Sequence, residues 1–178
     1  MTMHLFTSVK PKITFKKLNQ IKDSSRFENY VKKVSTWFTK EWGYIHDKNI
    51  SDEQAIEKRI GTIRNNAENI VLAFYGNQVV GAFRLELKEF DEKLKKNDQD
   101  TMSEVWFIYV DPTFRGLGVG RQIVQEIKRV AKDEMKASMV LLETLKPGLN
   151  HLYLSEEGKI VCDNSLDSNP TDMIRLKL

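Results

Sequence analysis

A glycine-rich segment joins a predicted strand to a predicted helix near the middle of the chain. The segment, residues 115–120, reads R-G-L-G-V-G and follows the apolar run 105–110 and an Asp111-Pro112 turn. The amides of a helix's first turn have no partners within the helix, and the helix dipole places about half a positive charge there. Three glycines and the leading Arg115 suit a pyrophosphate at such a junction. The segment therefore predicts a phosphorylated cofactor.

The spacing of the glycines argues against two common nucleotide sites. A Walker A loop needs Lys followed by Ser or Thr after its last glycine, whereas Arg121 and Gln122 stand there. A dinucleotide fingerprint needs G-x-G-x-x-G, whereas this chain has G-x-G-x-G with an arginine before it. Neither a P-loop NTPase nor a Rossmann domain is expected.

The segment resembles the acyl-CoA loop of the GNAT superfamily of N-acyltransferases. Its pattern is R/Q-x-x-G-x-G/A, and Arg115, Gly118 and Gly120 occupy the fixed positions. Ile123, Ile127 and Val130 then recur on one helical face, although a solvated helix would show the same stripe. The resemblance implies acetyl-CoA as co-substrate. The cofactor-binding residues it implies are Ile108, Tyr109, Val110, Arg115, Gly116, Leu117, Gly118, Val119, Gly120, Arg121 and Asn150.

The elements around the loop predict a layered α/β fold with one domain over residues 1–178. Strands are expected at 12–17, 70–75, 79–87, 105–110, 138–144, 159–162 and 173–178, and helices at 24–40, 51–65, 119–130 and 149–155. Residues 90–100 are charged and predict a loop or ragged strand end. The resemblance implies a mixed central sheet of about six to seven strands flanked by about four helices. It also implies that strands 4 and 5 are splayed to admit acyl-CoA.

The strand before the loop supplies a candidate base, Glu104. Alternation predicts that Glu104, Trp106, Ile108 and Val110 share one face of this strand, and that Val105, Phe107 and Tyr109 share the other. A primary amine has a reference pKa near ~10.4, so it must lose a proton before it attacks a thioester. Family members often use a carboxylate on this strand, which points to Glu104. Alternatively, Glu104 only begins the strand in solvent.

The resemblance also gives a candidate proton donor, Tyr153. The departing thiolate needs stabilisation, and a family tyrosine in the fourth helix faces the CoA sulfur. Asn150 and Tyr153 resemble a compressed form of that pattern, but Gly158 follows five residues later instead of four and Lys159 replaces an aromatic residue. Tyr153 is otherwise a packing residue. Asn150 either binds the pantetheine amide or caps the short helix.

The acceptor is expected to be a primary amine of a small molecule, peptide or protein. In the family the first two helices form much of the acceptor wall. The aromatic and polar residues there are Trp37, Phe38, Glu41, Trp42, Tyr44, His46 and Asp47. Aromatics with carboxylates suit a cationic amine, but Trp37 and Phe38 equally suit helix packing.

Composition limits the remaining function classes. The 178 residues carry a net charge of +3, one cysteine (Cys162) and three histidines without metal-ligand spacing. We therefore expect no metal, no nucleic-acid partner, no membrane segment, a cytoplasmic location and a monomer or homodimer. Two alternatives stay open: a catalytically inactive acyl-CoA-binding module and, from the mildly basic balance alone, a nucleic-acid-associated protein.

Overall fold

The computed structural model describes residues 10–46, 49–88, 101–163 and 171–178. Within them, a seven-stranded sheet has the order β1-β2-β3-β4-β5-β7-β6. Its strands are β1 (Thr14–Lys17), β2 (Ile70–Tyr75), β3 (Gln78–Lys88), β4 (Met102–Val110), β5 (Met139–Thr144), β6 (Gly158–Cys162) and β7 (Asp172–Lys177). The helices are α1 (Ser24–His46), α2 (Asp52–Asn65), α3 (Val119–Arg129) and α4 (Asn150–Leu154). The predicted element order and mixed sheet are confirmed, while the interpretation of residues 90–100 lies outside the described residues.

The start of α2 follows directly from its sequence. Ser51 Oγ accepts a hydrogen bond from the backbone N–H of Gln54 over 3.3 Å, and Gln54 Oε1 accepts one from the Ser51 N–H over 3.1 Å. This reciprocal pair satisfies two amides that a helix start leaves open. In contrast, α1 continues six residues beyond its predicted end at Lys40, because Trp42 extends the face that packs on the core. None of the described helices is long and apolar enough to cross a membrane.

The sheet separates two apolar cores. On one face α1 and α2 bury Val31, Val34 and Ile63 against β2, β3 and β4. On the other face α3 buries Ile123 and Ile127, and α4 contributes Tyr153. Complete burial of such a side chain stabilises the fold by about 1.5–3 kcal/mol. The predicted stripe of α3 is confirmed by these contacts.

A β-bulge at Trp106 changes which residues of β4 share a face. Arg84 pairs with Phe107 while the next residue, Leu85, pairs with Val105, so Trp106 is the extra residue. Val105 consequently lies in the α3 core, whereas Phe107 and Tyr109 lie in the α1 core. The alternation predicted for this strand is therefore wrong across Trp106, because a bulge inserts one residue and resets the alternation.

The bulge also corrects the predicted position of Glu104. This residue pairs with Glu86, two residues beyond Arg84 on β3, and directly opposed residues in an antiparallel pair share a face. Glu104 therefore lies on the α1–α2 face with Phe107 and Tyr109, and not with Ile108. The carboxylate is on the side of the sheet that carries the expected acceptor wall.

Strands β4 and β5 separate after a short parallel ladder. Their register runs from the pair Met102–Met139 to the pair Val105–Leu142 and ends there. From Trp106 onward β4 stays paired with β3 alone, while β5 stays paired with β7 to Thr144. The predicted splay is confirmed, and it leaves an opening in the middle of the sheet.

Candidate active site

One continuous cleft of about 1320 Å³ passes through this opening. At one end it is lined by Gly116, Gly118 and Gly120, in the middle by the separated ends of β4 and β5, and at the other end by α1 and α2. Both Tyr153 and Glu104 line the same cleft. Its course joins the glycine loop on one face of the sheet to the aromatic wall on the other.

The glycine loop has the backbone conformation of an anion site. Gly116 and Gly118 have φ angles of 79° and 82°, a region that side chains disfavour. Gly118 is the N-cap of α3 and has no side chain to cap it, so the first-turn amides of α3 stay open to a ligand. Val119 is fully buried and anchors the loop, whereas Leu117 is exposed. Gly120 brings α3 close to α4, since an added Cβ would lie 3.3 Å from Leu152 Cδ2.

The structure directs the Arg115 side chain away from the glycine loop. Its Nε donates to the Val110 carbonyl over 3.0 Å, and its Nη2 lies 3.3 Å from Glu41 Oε2 of α1. Lys146 also contacts Glu41. Burial raises the pKa of Glu41, but the bonds from Lys146 and Arg115 outweigh it and lower the pKa below its usual value. The charge expected to meet a pyrophosphate instead links the start of the loop to α1.

Arg121, the next cation along the loop, also has partners within the protein. Its Nε lies 3.0 Å from Glu156 Oε1 and its Nη2 donates to Ser155 Oγ over 3.1 Å. These contacts connect α3 to the turn after α4. Arg121 lines the cleft, so a phosphate there meets a cation that already has a carboxylate partner.

The open edge of β4 is the backbone surface that the sequence predicted. Ile108, Tyr109 and Val110 pair with β3 on one side and line the cleft on the other. The Val110 carbonyl is already bonded to Arg115, so a ligand that uses it must displace that arginine. The main chain from Trp106 to Tyr109 keeps an edge without a β5 partner.

Glu104 lies at the α1–α2 side of the opening. Its Oε1 accepts a hydrogen bond from Lys88 Nζ over 3.1 Å, and its side chain is 30% exposed. Arg84, on the same face, bonds Glu86 and Asn66 and stacks over the Trp106 ring at 4.8 Å. The carboxylate is thus accessible and lies beside a polar network, and its catalytic role stays a prediction.

Tyr153 is nearly buried, with 6% of its surface exposed, yet it lines the cleft. Burial raises the pKa of Tyr153 to about 12, so the hydroxyl keeps its proton at neutral pH. Within the described residues the hydroxyl has no hydrogen-bond partner. Gly158, the glycine that follows Tyr153 by five residues, must lack a side chain, since an added Cβ would lie 2.5 Å from the Tyr153 carbonyl oxygen. Tyr153 therefore packs in the core and also lines the cleft.

Asn150 does not cap α4. Leu149 is the N-cap, while Asn150 Nδ2 donates to Asp172 Oδ2 of β7 over 2.5 Å. Its Oδ1 is buried and has no partner among the described residues. The capping alternative is therefore wrong, and the free acceptor atom is compatible with a bond to a ligand amide.

The α1–α2 end of the cleft is aromatic. Trp37 stacks on Tyr109 with 4.7 Å between ring centroids and is a packing residue. Phe38 packs edge-on against Phe107 and still lines the cleft. Trp42, Glu41 and the exposed Tyr44 complete this wall. The side chain of His46 and all of Asp47 lie outside the described residues.

Several cleft residues were not predicted, namely Lys10, Lys12, Arg59, Arg84, Gln122, Lys146 and His151. Arg59 stacks on Phe38 at 4.2 Å, and Gln122 bonds the chain near Pro11. His151 lines the cleft, and its Nδ1 lies 2.7 Å from the Gly148 carbonyl oxygen. Their positions depend on contacts across the fold that no local pattern shows. Within the described residues, no group of three or more His, Cys, Asp or Glu side chains could hold a metal ion.

The fold and the loop define a GNAT acetyltransferase. A family model described as the acetyltransferase (GNAT) family matches residues 31–154, and the chain belongs to this family. No curated protein sequence matches the chain significantly.

Solved acetyltransferases share the fold at low identity. A ribosomal-protein-alanine N-acetyltransferase from Brucella melitensis is 16% identical with a TM-score of 0.66, covering 94% of this chain and 99% of that one. A chain of the NatC complex bound to Gag peptide and CoA is 14% identical with a TM-score of 0.63, and the match covers 94% of this chain and 99% of that one. A putative acetyltransferase from Salmonella typhimurium with its cofactor acetyl-CoA is 9% identical with a TM-score of 0.59, and the match covers 94% of each chain.

Proposed function

We propose that the protein transfers an acetyl group from acetyl-CoA to a primary amine by direct attack. The observation that carries this proposal is the cleft through the β4–β5 opening, which joins the glycine loop to the aromatic wall. An extended thioester cofactor fits such a passage, because its phosphates and its acetyl group must reach opposite ends. The solved relatives with CoA or acetyl-CoA support the choice of co-substrate.

In this proposal the loop and β4 hold acetyl-CoA. The first-turn amides of α3 bind the pyrophosphate, and the open edge of β4 bonds the pantetheine arm as an added strand would. Asn150 Oδ1, buried without a partner among the described residues, accepts from a pantetheine amide. A backbone N–H of β4 directed at the thioester oxygen stabilises the charge that develops there.

Glu104 acts as the base on the acceptor side. The amine nitrogen attacks the carbonyl carbon, a C–N bond forms, and the nitrogen must lose a proton. Glu104 lies on the α1–α2 face and is accessible, so it takes this proton directly or through water. Its contact with Lys88 is exposed and therefore costs little to open.

Tyr153 acts on the leaving sulfur. The C–S bond breaks and the sulfur carries the negative charge. Since the pKa of Tyr153 is raised to about 12 against a thiol reference of ~8.5, the hydroxyl stabilises the thiolate mainly by donating a hydrogen bond. Complete protonation of CoA then follows as the thiolate meets water.

The acceptor is a small amine, a peptide N-terminus or a protein lysine. The aromatic wall of Phe38, Trp42 and Tyr44 suits a cationic amine before it loses its proton. Among the solved relatives, the ribosomal-protein-alanine N-acetyltransferase and the complex bound to Gag peptide support including peptides.

The test is acetyl-CoA-dependent thiol release over a panel of polyamines, aminoglycosides, amino acids, peptides with free N-termini and lysine peptides. We expect at least one amine to give thiol release together with an acetylated product of matching mass. Saturable acetyl-CoA binding without release on any amine would instead favour the acyl-CoA-binding module. Failure to bind acetyl-CoA would contradict both.

A further inference from the structure

A short stretch before β1 lies across the glycine loop. In this segment, residues 10–13, the Ile13 N–H donates to Gln122 Oε1 over 3.1 Å, and Gln122 Nε2 donates to the Pro11 carbonyl over 2.9 Å. Ile13 is also part of the core. Gln122 lies near the start of α3, so these contacts hold segment 10–13 beside the loop. The segment is outside the residues 31–154 that the family model matches.

Segment 10–13 brings two lysines to the phosphate end of the cleft. Lys10 and Lys12 are exposed and line the cleft together with Pro11. The stem of Lys10 lies against the loop, since an added Cβ on Gly118 would be 3.6 Å from Lys10 Cδ. Within the described residues neither ammonium group is paired with a carboxylate.

The two arginines near the loop already have carboxylate partners. Arg115 bonds Glu41 and Val110, and Arg121 bonds Glu156 and Ser155. A pyrophosphate and a 3′-phosphate bring several negative charges to this end of the cleft. Backbone amides supply hydrogen bonds and partial charge only. Among the described residues near the loop, Lys10 and Lys12 are therefore the cations that have no carboxylate to release.

We infer that Lys10 and Lys12 bind phosphate groups of CoA, and that Gln122 is the positioning residue that holds segment 10–13 for this purpose. The inference rests on the proposed function, because it requires CoA in the cleft. Exposed ion pairs are weak, so we expect each lysine to contribute about two- to fivefold in affinity and both together roughly tenfold. The effect should decrease as salt increases.

The experiment titrates the protein with CoA, 3′-dephospho-CoA and pantetheine at low salt. The test variant carries Lys10→Ala and Lys12→Ala, and the control carries Lys16→Ala, an exposed lysine of β1 outside the cleft. We expect wild-type affinity for CoA in the control and roughly tenfold weaker binding in the test variant. An equal loss with 3′-dephospho-CoA assigns the lysines to the pyrophosphate, and a smaller loss assigns them to the 3′-phosphate. Pantetheine binding should not change.

Gln122→Ala tests the positioning role by a double-mutant cycle. This variant should raise the KM for acetyl-CoA with little change in kcat, and its effect should vanish when both lysines are already alanine. Unchanged CoA affinity in the double-lysine variant would overturn the inference, as would an equal loss in Lys16→Ala or with pantetheine. If the wild-type protein does not bind CoA at all, the proposed function itself fails.

Discussion

Tyr153 combines a packing position with a proposed role in the chemistry. The residue belongs to the α3 core and lines the cleft, and its hydroxyl has no hydrogen-bond partner among the described residues. Phenylalanine would preserve the packing and remove only the donor. The two roles can therefore be separated by a single substitution.

We expect Tyr153→Phe to lower kcat by roughly 10²–10³-fold, the range for loss of one preorganised hydrogen-bond donor to a developing anion. The KM for acetyl-CoA and the thermal midpoint should change little, because the ring still fills its site. Steady-state kinetics on an identified amine measure this. Wild-type turnover across the pH range would show that Tyr153 is a packing residue and that water stabilises the leaving thiolate.

The same hydroxyl should affect stability at alkaline pH. Burial raises the pKa of Tyr153 to about 12, whereas an unfolded chain has a tyrosine pKa of ~10. A raised pKa stabilises the fold fully below the unfolded value and loses that contribution as pH rises through the folded value. Between about pH 10 and 12 the wild type should lose up to about 3 kcal/mol more than Tyr153→Phe. Chemical denaturation of both proteins at pH 8 and 11 tests this difference.

We expect replacement of Glu104 to lower kcat/KM to an extent that depends on pH. Glu104→Gln removes the base but keeps the size of the side chain, so kcat/KM should fall by roughly 10²–10⁴-fold at neutral pH. The defect should shrink as pH approaches the pKa of the acceptor, because the amine then loses its proton without help. A defect that is constant with pH would assign Glu104 a structural role.

Among the elements, the glycine loop before α3 can be tested by comparing alanine substitutions at two glycines. Gly118 and Gly76 both have positive φ, 82° and 58°, but Gly76 lies in the β2–β3 turn away from the cleft. Alanine at either position should cost stability by about 1 kcal/mol. Only Gly118→Ala should weaken acetyl-CoA binding, by at least tenfold, since it distorts the phosphate site. Calorimetric titration of both variants measures this, and equal affinities would argue against the loop as the phosphate site.

Sequence patterns predicted the elements well because each depended on local signals. The capping residues Ser51 and Gln54 mark the start of α2, and the glycine loop marks the start of α3. The bulge at Trp106 gave no such signal, so the face of Glu104 was predicted wrongly. Similarly, the turn of Arg115 toward Glu41 joins residues 74 positions apart, which periodicity cannot reveal.

At the scale of the whole molecule, the candidate site residues lie on both faces of the sheet. The face covered by α3 and α4 carries the glycine loop, Lys10, Lys12 and Tyr153, and the face covered by α1 and α2 carries the aromatic wall and Glu104. The β4–β5 opening connects the two faces. In the proposed function, acetyl-CoA enters from the α3–α4 face and presents its acetyl group toward the α1–α2 face.

Calorimetric titration of the wild-type protein with acetyl-CoA tests whether the cleft binds this cofactor. We expect saturable binding with one site per chain and a dissociation constant well below millimolar. We also expect CoA to compete, because it shares the phosphates and the pantetheine arm of acetyl-CoA. If neither acetyl-CoA nor CoA gave saturable heat at millimolar concentration, the cleft would not be an acyl-CoA site.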